Sequence, residues 1–191
     1  MDDVGRCSWA GGAAADPRMR AYHDDEWGTP VQDDIELFER LSLECFQAGL
    51  SWSTILNKRD AFRVAFRGFD PLAVAAFDDA DRVRLLADAG IVRNRAKIDA
   101  TIGNASAFLR IVAVVGSFDA YLGAAVPGPV ARLPITATMG DIPATTPASD
   151  ALSKDLRQRG FGFVGSTIVY AFMQSVGLVD DHLPGCFRYR G

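Results

Sequence analysis

The stretch A-D-A-G-I-V-R-N-R-A-K-I, residues 87–98, decides the fold. A helical pattern ends at Gly90, and a second helical pattern begins four residues later. Two helices joined by a short glycine turn are typical of a helix-hairpin-helix unit, although many helical hairpins use Gly only as a C-cap. The backbone N–H groups of such a turn can bind a phosphate, and three basic residues lie beside it: Arg93, Arg95 and Lys97.

The rest of the chain also reads as helices separated by capping residues. Five polar residues stand before helical segments and are predicted N-caps: Asp33, Ser51, Asp70, Ser149 and Ser166. A long helix is expected to start near Asn94 and run toward Val115. Little of the sequence is typical of strands. Residues 125–148 hold five of the nine prolines, and we interpret them as an irregular, exposed connection. The pattern predicts an all-α protein.

Composition and charge limit the classes of function. The chain has 191 residues, of which 49% are hydrophobic and 23% charged, enough to bury one substantial core. A net charge of −4 disfavours a protein that coats nucleic acid by bulk electrostatics, but a local DNA contact remains possible. No apolar run approaches the roughly 18 residues of a membrane span, and no signal pattern opens the sequence. We therefore expect a cytoplasmic protein without membrane contact.

A cysteine and a histidine lie near each end of the sequence. Cys7 and His23 are near one end, and His182 and Cys186 are near the other. Four such ligands would form a closed Cys2His2 zinc site that joins the two terminal segments. The alternative is that each residue is incidental, because the spacing between the ligands is unusual. A catalytic zinc is disfavoured, since the sequence lacks H-E-x-x-H and the zinc-binding pattern of base deaminases.

A carboxylate lies on or beside the apolar face of the helix that follows Asp33. This residue, Glu44, would need a donor or a cation if it is buried. Trp52 follows shortly after, and Tyr22 directly precedes His23. Aromatic faces beside an acceptor suit a pocket for a flat, cationic ring. The alternative is that Glu44 pairs with an arginine or reaches solvent and that the aromatic residues belong to the core.

Several sequence blocks from Cys7 to Cys186 resemble, in order, the motifs of the 3-methyladenine DNA glycosylase I family of alkylation-repair enzymes. These blocks are R-C-S-W, A-Y-H-D-D-E-W-G, Q-A-G-L-S-W, A-G-I-V-R-N-R-A-K-I, I-G-N-A, S-D-A-L-S-K-D-L, R-G-F-G-F-V-G-S-T-I and G-L-V-D-D-H-L-P-G-C. The resemblance covers nearly the whole chain, and an ordered set of blocks is far more specific than one motif.

The resemblance implies a helix-hairpin-helix glycosylase fold in which residues 1–191 form a single unit. This unit has two helical lobes, with the hairpin lobe at about residues 70–125, and a structural zinc ion joins the terminal segments. The positions that match the zinc ligands are Cys7, His23, His182 and Cys186. The positions that match the base pocket are Glu44, Trp52 and Tyr22, and Gly49 and Leu50 match the segment that probes DNA at the lesion. The hairpin supplies the other expected DNA contacts, which are Gly90, Arg93, Arg95 and Lys97.

The implied reaction is hydrolysis of the N-glycosidic bond of 3-methyladenine in alkylated double-stranded DNA, without an obligate protein partner. The enzyme flips the nucleotide out, Glu44 accepts hydrogen bonds from the base as the catalytic residue, and water attacks the sugar. No aspartate is assigned to stabilise the sugar cation, because Asp99 lies inside the helix after the hairpin and Asp119 lies too far along. The alternative function is a zinc-stapled helical module that binds damaged DNA without cutting it.

Overall fold

The computed structural model describes residues 5–11 and 16–190, and α-helices dominate this part of the chain. The helices are α1 (Pro17–Ala21), α2 (Asp34–Gln47), α3 (Trp52–Ala65), α4 (Pro71–Ala75), α5 (Asp79–Ala87), α6 (Arg95–Val115), α7 (Phe118–Ala125), α8 (Pro147–Gln158) and α9 (Ser166–Ser175). A π-helical turn, Tyr22–Glu26, follows α1, and 3-10 turns occupy Arg67–Phe69 and Met139–Asp141. The expected all-α class is confirmed.

The described residues contain two short strands. They are β1 (Ala131–Arg132) and β2 (Val179–Asp180), which pair in parallel with Ala131 opposite Val179. Strand β1 lies within the proline-rich connection, whose described residues are otherwise irregular apart from a 3-10 turn and the start of α8. The pair therefore attaches this connection to the segment that follows α9.

Local side-chain chemistry sets where most helices begin. The predicted caps Asp33, Ser51 and Asp70 are confirmed, since each side chain accepts a backbone N–H of the first turn. Asn94, near which a long helix was expected to start, caps α6 in the same way. These bonds satisfy donors that a helix N-terminus otherwise leaves unpaired.

Two predicted caps are wrong. Helix α8 begins at Pro147, and Thr146 is its cap, so Ser149 is the third helical residue. Thr146 and Ser149 bond reciprocally in a capping box, and proline at the first helical position has the backbone angle that the helix needs. Helix α9 has Gly165 as its cap, with no side-chain hydrogen bond.

The long helix α6 packs against α2, α4, α5 and α7. By length and composition α6 is apolar enough to cross a membrane, with a mean hydropathy of 1.5 over its 18-residue window. This corrects the expectation that no segment reaches that length. Its buried face includes Ile98, Ala105, Phe108 and Ile111, which is the composition that a core helix requires.

The hairpin lies between α5 and α6 and is fixed to α3. Lys58 on α3 donates from Nζ to the carbonyls of Ala89 and Gly90, at 3.0 and 3.1 Å. A Cβ atom at Gly90 would lie 2.9 Å from the Cβ of Ala61, so only glycine fits this close approach of the turn to α3. The division into two lobes, with the hairpin lobe at residues 70–125, stays a prediction.

Two apolar clusters position the functional residues. The larger cluster joins helices from α2 to α9 and contains most of the buried phenylalanines. The smaller cluster lies where both terminal segments meet and consists of Cys7, Tyr22, Trp27, Leu56, Leu183 and Cys186. Trp52 is partly buried and packs against both clusters. The smaller cluster therefore joins the predicted metal ligands to the predicted base pocket.

Candidate active site and metal centre

The four predicted metal ligands converge on one buried point. One ligand atom from each of Cys7, His23, His182 and Cys186 lies within 4.8 Å of all the others. The Sγ atom of Cys186 is 3.4 Å from His23 Nε2 and 3.6 Å from His182 Nδ1. The Sγ atom of Cys7 is 3.8 Å from the same His182 nitrogen. This arrangement can hold a metal ion.

Neighbouring groups orient both imidazole rings. The outer nitrogen of His23, Nδ1, is 2.8 Å from Asp24 Oδ1, and Arg6 holds that carboxylate with two guanidinium nitrogens. The outer nitrogen of His182, Nε2, is 3.2 Å from the Trp27 carbonyl. Because carboxylate and carbonyl oxygens only accept, each outer nitrogen carries the proton. The inner nitrogens therefore present lone pairs to the cluster, as metal ligands do.

Burial favours the neutral forms of a cysteine and a histidine side chain in this cluster. Burial raises the pKa of the Cys7 thiol to about 12 and lowers the pKa of His182 to about 4. A thiolate there needs a positive charge beside it, whereas neutral imidazole is already in the form that binds a metal. Backbone N–H groups of Leu183 and Arg188 donate to the two sulfur atoms, each at 3.4 Å. These donors stabilise the thiolates further.

The three predicted base-pocket residues line one cavity of about 330 Å³. Tyr22 and Trp52 contribute aromatic walls, with ring centroids 5.1 Å apart and planes inclined at 48°. Glu44 contributes a carboxyl group from α2. The other lining residues are Trp9, Met19, Trp27, Gln47, Met139, Ile142, Ala171 and Gln174. The sequence had not indicated these eight residues as part of the pocket.

Two polar atoms of this cavity wall are buried without a hydrogen-bond partner among the described residues. They are Glu44 Oε2 and Trp52 Nε1. Buried polar groups are nearly always paired in native proteins, so unpaired ones indicate a missing partner. The cavity thus offers an acceptor and a donor to a flat polar ligand.

An arginine does not neutralise Glu44 through a direct bond. Arg40, one turn earlier on α2, donates to the Glu36 carboxylate and to the carbonyls of Ser175 and Glu26. Burial raises the pKa of Glu44 to about 8, against a smaller lowering by the charge of Arg40. The alternative of a Glu44–arginine pair therefore has no support in this geometry.

The metal cluster and the cavity share structural elements. Tyr22 and His23 are consecutive residues of the π-helical turn, so one turn carries a pocket wall and a metal ligand. Trp9, two residues after Cys7, lines the cavity and lies with its ring 5.1 Å from the ring of His23. Trp27 similarly lines the cavity and contacts His182 at 4.7 Å between ring centroids. Proximity to the ligands in sequence was the signal that could have identified both tryptophans.

The predicted DNA-contacting residues fall into two groups. Gly49 and Leu50 lie exposed in the loop after α2, where Gly49 has a φ of 82° and Leu50 is 41% exposed. Arg93 and Arg95 are exposed at the hairpin, and we find no side-chain hydrogen bond or ion pair for them to other described residues. Their contact with DNA stays a prediction, as does that of Gly90.

Lys97 requires a correction. Its side chain is buried, and Nζ donates to the carbonyls of Phe46 and Ala48 at 2.8 and 2.6 Å. These carbonyls belong to the C-terminal end of α2, which attracts a positive charge. The ammonium group is therefore directed to α2 and not outward to a phosphate.

Comparison with known proteins identifies relatives over nearly the whole chain. A family model described as methyladenine glycosylase matches residues 9–189. DNA-3-methyladenine glycosylase 1 of Escherichia coli strain K12 is 48% identical over 186 residues, which cover 97% of each protein.

Solved structures agree with this sequence relationship. The crystal structure of a 3-methyladenine DNA glycosylase I superimposes with a TM-score of 0.91 at 48% identity and covers 97% of this chain and 100% of that one. A variant of 3-methyladenine DNA glycosylase I in complex with 3-methyladenine superimposes with a TM-score of 0.87 at 38% identity. That match covers 92% of this chain and 94% of the other.

The buried carboxyl of Glu44 makes stability depend on pH. Between its ordinary pKa of 4.5 and the raised value of about 8, the folded state retains a proton that the unfolded state releases. Its contribution is therefore most favourable below pH 4.5 and is lost as the pH rises toward 8. We expect the melting temperature of Glu44→Gln, relative to wild type, to increase from pH 5 to pH 8 in calorimetry without ligand.

The matched control for this titration is Glu39→Gln. Glu39 is also buried on α2 but is paired with Arg63 at 2.9 Å. The melting temperature of Glu39→Gln relative to wild type should therefore not increase from pH 5 to pH 8. If the melting temperature of Glu44→Gln relative to wild type stays constant from pH 5 to pH 8, Glu44 is already charged at pH 5.

Proposed function

Because the chain belongs to the methyladenine glycosylase family, we infer that it is a DNA-3-methyladenine glycosylase, which excises 3-methyladenine from alkylated DNA. The observation that carries this proposal is the buried, unpaired carboxyl of Glu44 in a cavity with aromatic walls. The relatives named for this activity, and the related structure that binds 3-methyladenine, support it. The partner is double-stranded DNA with alkylated bases, and no obligate protein partner is required.

The chemistry of the substrate explains the composition of the cavity. Methylation at N3 gives adenine in DNA a positive charge, and the base leaves as a neutral molecule, so the glycosidic bond is already weakened. The enzyme must flip the nucleotide, hold the base and admit water to the sugar. The aromatic walls attract a cationic ring through their π faces.

Glu44 serves as the acceptor for donors on the base edge, and the Trp52 indole N–H can donate to a ring nitrogen. A carboxylate in this cavity is poorly solvated, as its raised pKa indicates. A cationic base compensates that charge, whereas neutral adenine does not. Selectivity therefore arises from charge as well as from shape and bond lability.

Water is the proposed nucleophile. Asp99 lies on α6 at the solvent-facing surface and forms an ion pair with Arg82 at 2.9 Å. Asp119 lies on α7 and does not line the cavity. Neither aspartate is placed to stabilise a sugar cation, which fits a substrate whose bond is already activated.

The metal is proposed to be zinc with a structural role. Zinc bonds of about 2.3 Å to sulfur and about 2.0–2.1 Å to nitrogen place tetrahedral ligands about 3.5 Å apart. The sulfur-to-nitrogen distances of 3.4, 3.6 and 3.8 Å match that spacing. Four protein ligands leave no open position for a substrate, so zinc would supply folding energy and fix the pocket wall.

The proposed DNA surface consists of the hairpin and the loop after α2. Arg93 and Arg95 bind phosphates, while Leu50 enters the duplex at the lesion. Lys97 instead holds the C-terminal end of α2 in place through its two carbonyl contacts. We expect a cytoplasmic enzyme without membrane contact, and these two points stay predictions.

Glu44→Gln should retain the fold but lose at least tenfold in affinity for free 3-methyladenine and in excision rate. Gln replaces one acceptor oxygen with a donor, which leaves facing donors unpaired at about 1–3 kcal/mol each. Titration calorimetry and chromatography of base released from alkylated duplex measure the two effects. Glu39→Gln, outside the cavity, should retain both activities, and unchanged affinity in Glu44→Gln would exclude Glu44 from the site.

The same release assay separates the glycosylase from the alternative function. A module that only binds damage would retain affinity for alkylated duplex without releasing free base. Release of 3-methyladenine by the wild-type protein is the expected result.

Purified protein should contain one zinc ion per chain, and Cys186→Ser should remove most of it. A loss of at least 100-fold in metal affinity corresponds to about 2.7 kcal/mol, or roughly 5–10 °C in melting temperature. Metal analysis and thermal melts test this. Cys45→Ser is the matched control, because Cys45 is also buried but lies outside the cluster. Protein with far less than one equivalent and a melt unaffected by chelation would contradict the zinc assignment.

Replacing Arg93 and Arg95 together with Ala should weaken binding to damaged and undamaged duplex alike. Loss of two phosphate contacts should make the slope of log K against log salt concentration less negative by about 1.8. Arg110→Ala is the control, because this exposed residue lies about 22 Å further along α6. An effect on damaged DNA alone would show that the two arginines read the lesion.

A further inference from the structure

Phe163 combines two unfavourable features in the loop between α8 and α9. Its φ of 54° lies in the left-handed region, which is strained for a bulky side chain. Its aromatic ring is also exposed, at 39% for the residue as a whole. Neither feature contributes to the stability of the folded state. We therefore interpret the exposed ring as a binding group.

The comparison with other left-handed residues strengthens this reasoning. Phe69 has a φ of 57° but is completely buried, so apolar burial offsets its strain. Arg67 has a φ of 52° but carries a polar side chain. Among the non-glycine residues with positive φ in the described chain, Phe163 is the exposed aromatic.

Hydrogen bonds on both sides hold the loop in this conformation. The N–H and carbonyl of Gly162 bond to the side-chain amide of Asn104, at 2.7 and 3.1 Å. The carbonyl of Val164 accepts from Ser153 Oγ at 2.6 Å. The carbonyl of Phe163 itself accepts from Cys45 Sγ at 3.2 Å. The ring is therefore presented from a fixed backbone.

These bonds place Phe163 beside the proposed DNA surface. Cys45 lies in the last turn of α2, four residues before Gly49 in the sequence. Helix α6 holds both loops from one face, since Lys97 binds the end of α2 and Asn104, two turns later, binds Gly162. Leu50 and Phe163 are exposed apolar residues, and both of their loops are attached to α2 and α6.

We propose that Phe163 is a second apolar wedge, which packs with Leu50 against the DNA bases next to the extruded nucleotide. The inference rests on the proposed function, because flipping a nucleotide exposes the faces of neighbouring bases. Aromatic rings stack on such faces without sequence preference, and apolar wedges stabilise distorted duplex. Phe163 lies outside the set of residues that line the base cavity, so its contact is with DNA and not with the excised base.

Phe163→Gly tests the proposal without damaging the fold, because glycine adopts the left-handed backbone without strain. We expect an unchanged or higher melting temperature and unchanged affinity for free 3-methyladenine. Affinity for a duplex with a stable abasic-site analogue should fall roughly tenfold, and excision from alkylated duplex should fall with it. Phe163→Leu, which retains an apolar side chain, should recover most of the affinity.

Arg67→Gly is the matched control, since it relieves the same backbone strain in the 3-10 turn after α3, outside the loop that carries Phe163. It should leave DNA affinity and excision unchanged. Wild-type affinity of Phe163→Gly for the abasic duplex would overturn the inference, as would a joint loss of melting temperature and free-base binding. If wild-type protein releases no 3-methyladenine, the proposed function fails, while the abasic-duplex comparison still decides the role of Phe163.

Discussion

The convergence of four buried ligands from opposite ends of the sequence is the constraint on which the binding cavity depends. Cys7 and His23 meet His182 and Cys186, and the π-helical turn that carries His23 also carries Tyr22. Trp9 and Trp27 lie between this cluster and the cavity and contact both. A change in the cluster therefore alters the walls of the cavity.

The ion pairs of α2 determine which of its buried carboxyl groups stays unpaired. Arg40 is fully engaged by Glu36 and by backbone carbonyls, while Arg63 pairs with Glu39. Of the two buried glutamates of α2, Glu39 and Glu44, these pairs leave Glu44 without a bonded cation. Burial raises its pKa to about 8, so a cation bound in the cavity would favour the charged form of this carboxyl.

Much of this architecture could be predicted because its signals are local. Asp33 and Ser51 are caps whose chemistry involves only the next few residues, and α6 begins at Arg95, next to the expected start near Asn94. The convergence of the four ligands followed from residue type together with the family resemblance. Lys97 could not be placed in this way, because its partners are carbonyls about 50 residues earlier in the sequence. The strained backbone of Phe163 likewise depends on bonds from Asn104 and Cys45, which are distant in sequence.

The long separation between the ligands also has a consequence for biosynthesis. His23 and Cys186 are 163 residues apart, so the cluster cannot be completed until the ribosome has released the last of these ligands from its exit tunnel. Helix α9, which packs against α2 in the main core, is also synthesised late, and it carries Ala171 and Gln174 of the cavity lining. The metal-ligand cluster and the cavity therefore both combine segments that leave the ribosome at different times. Neither can form from the first half of this sequence alone.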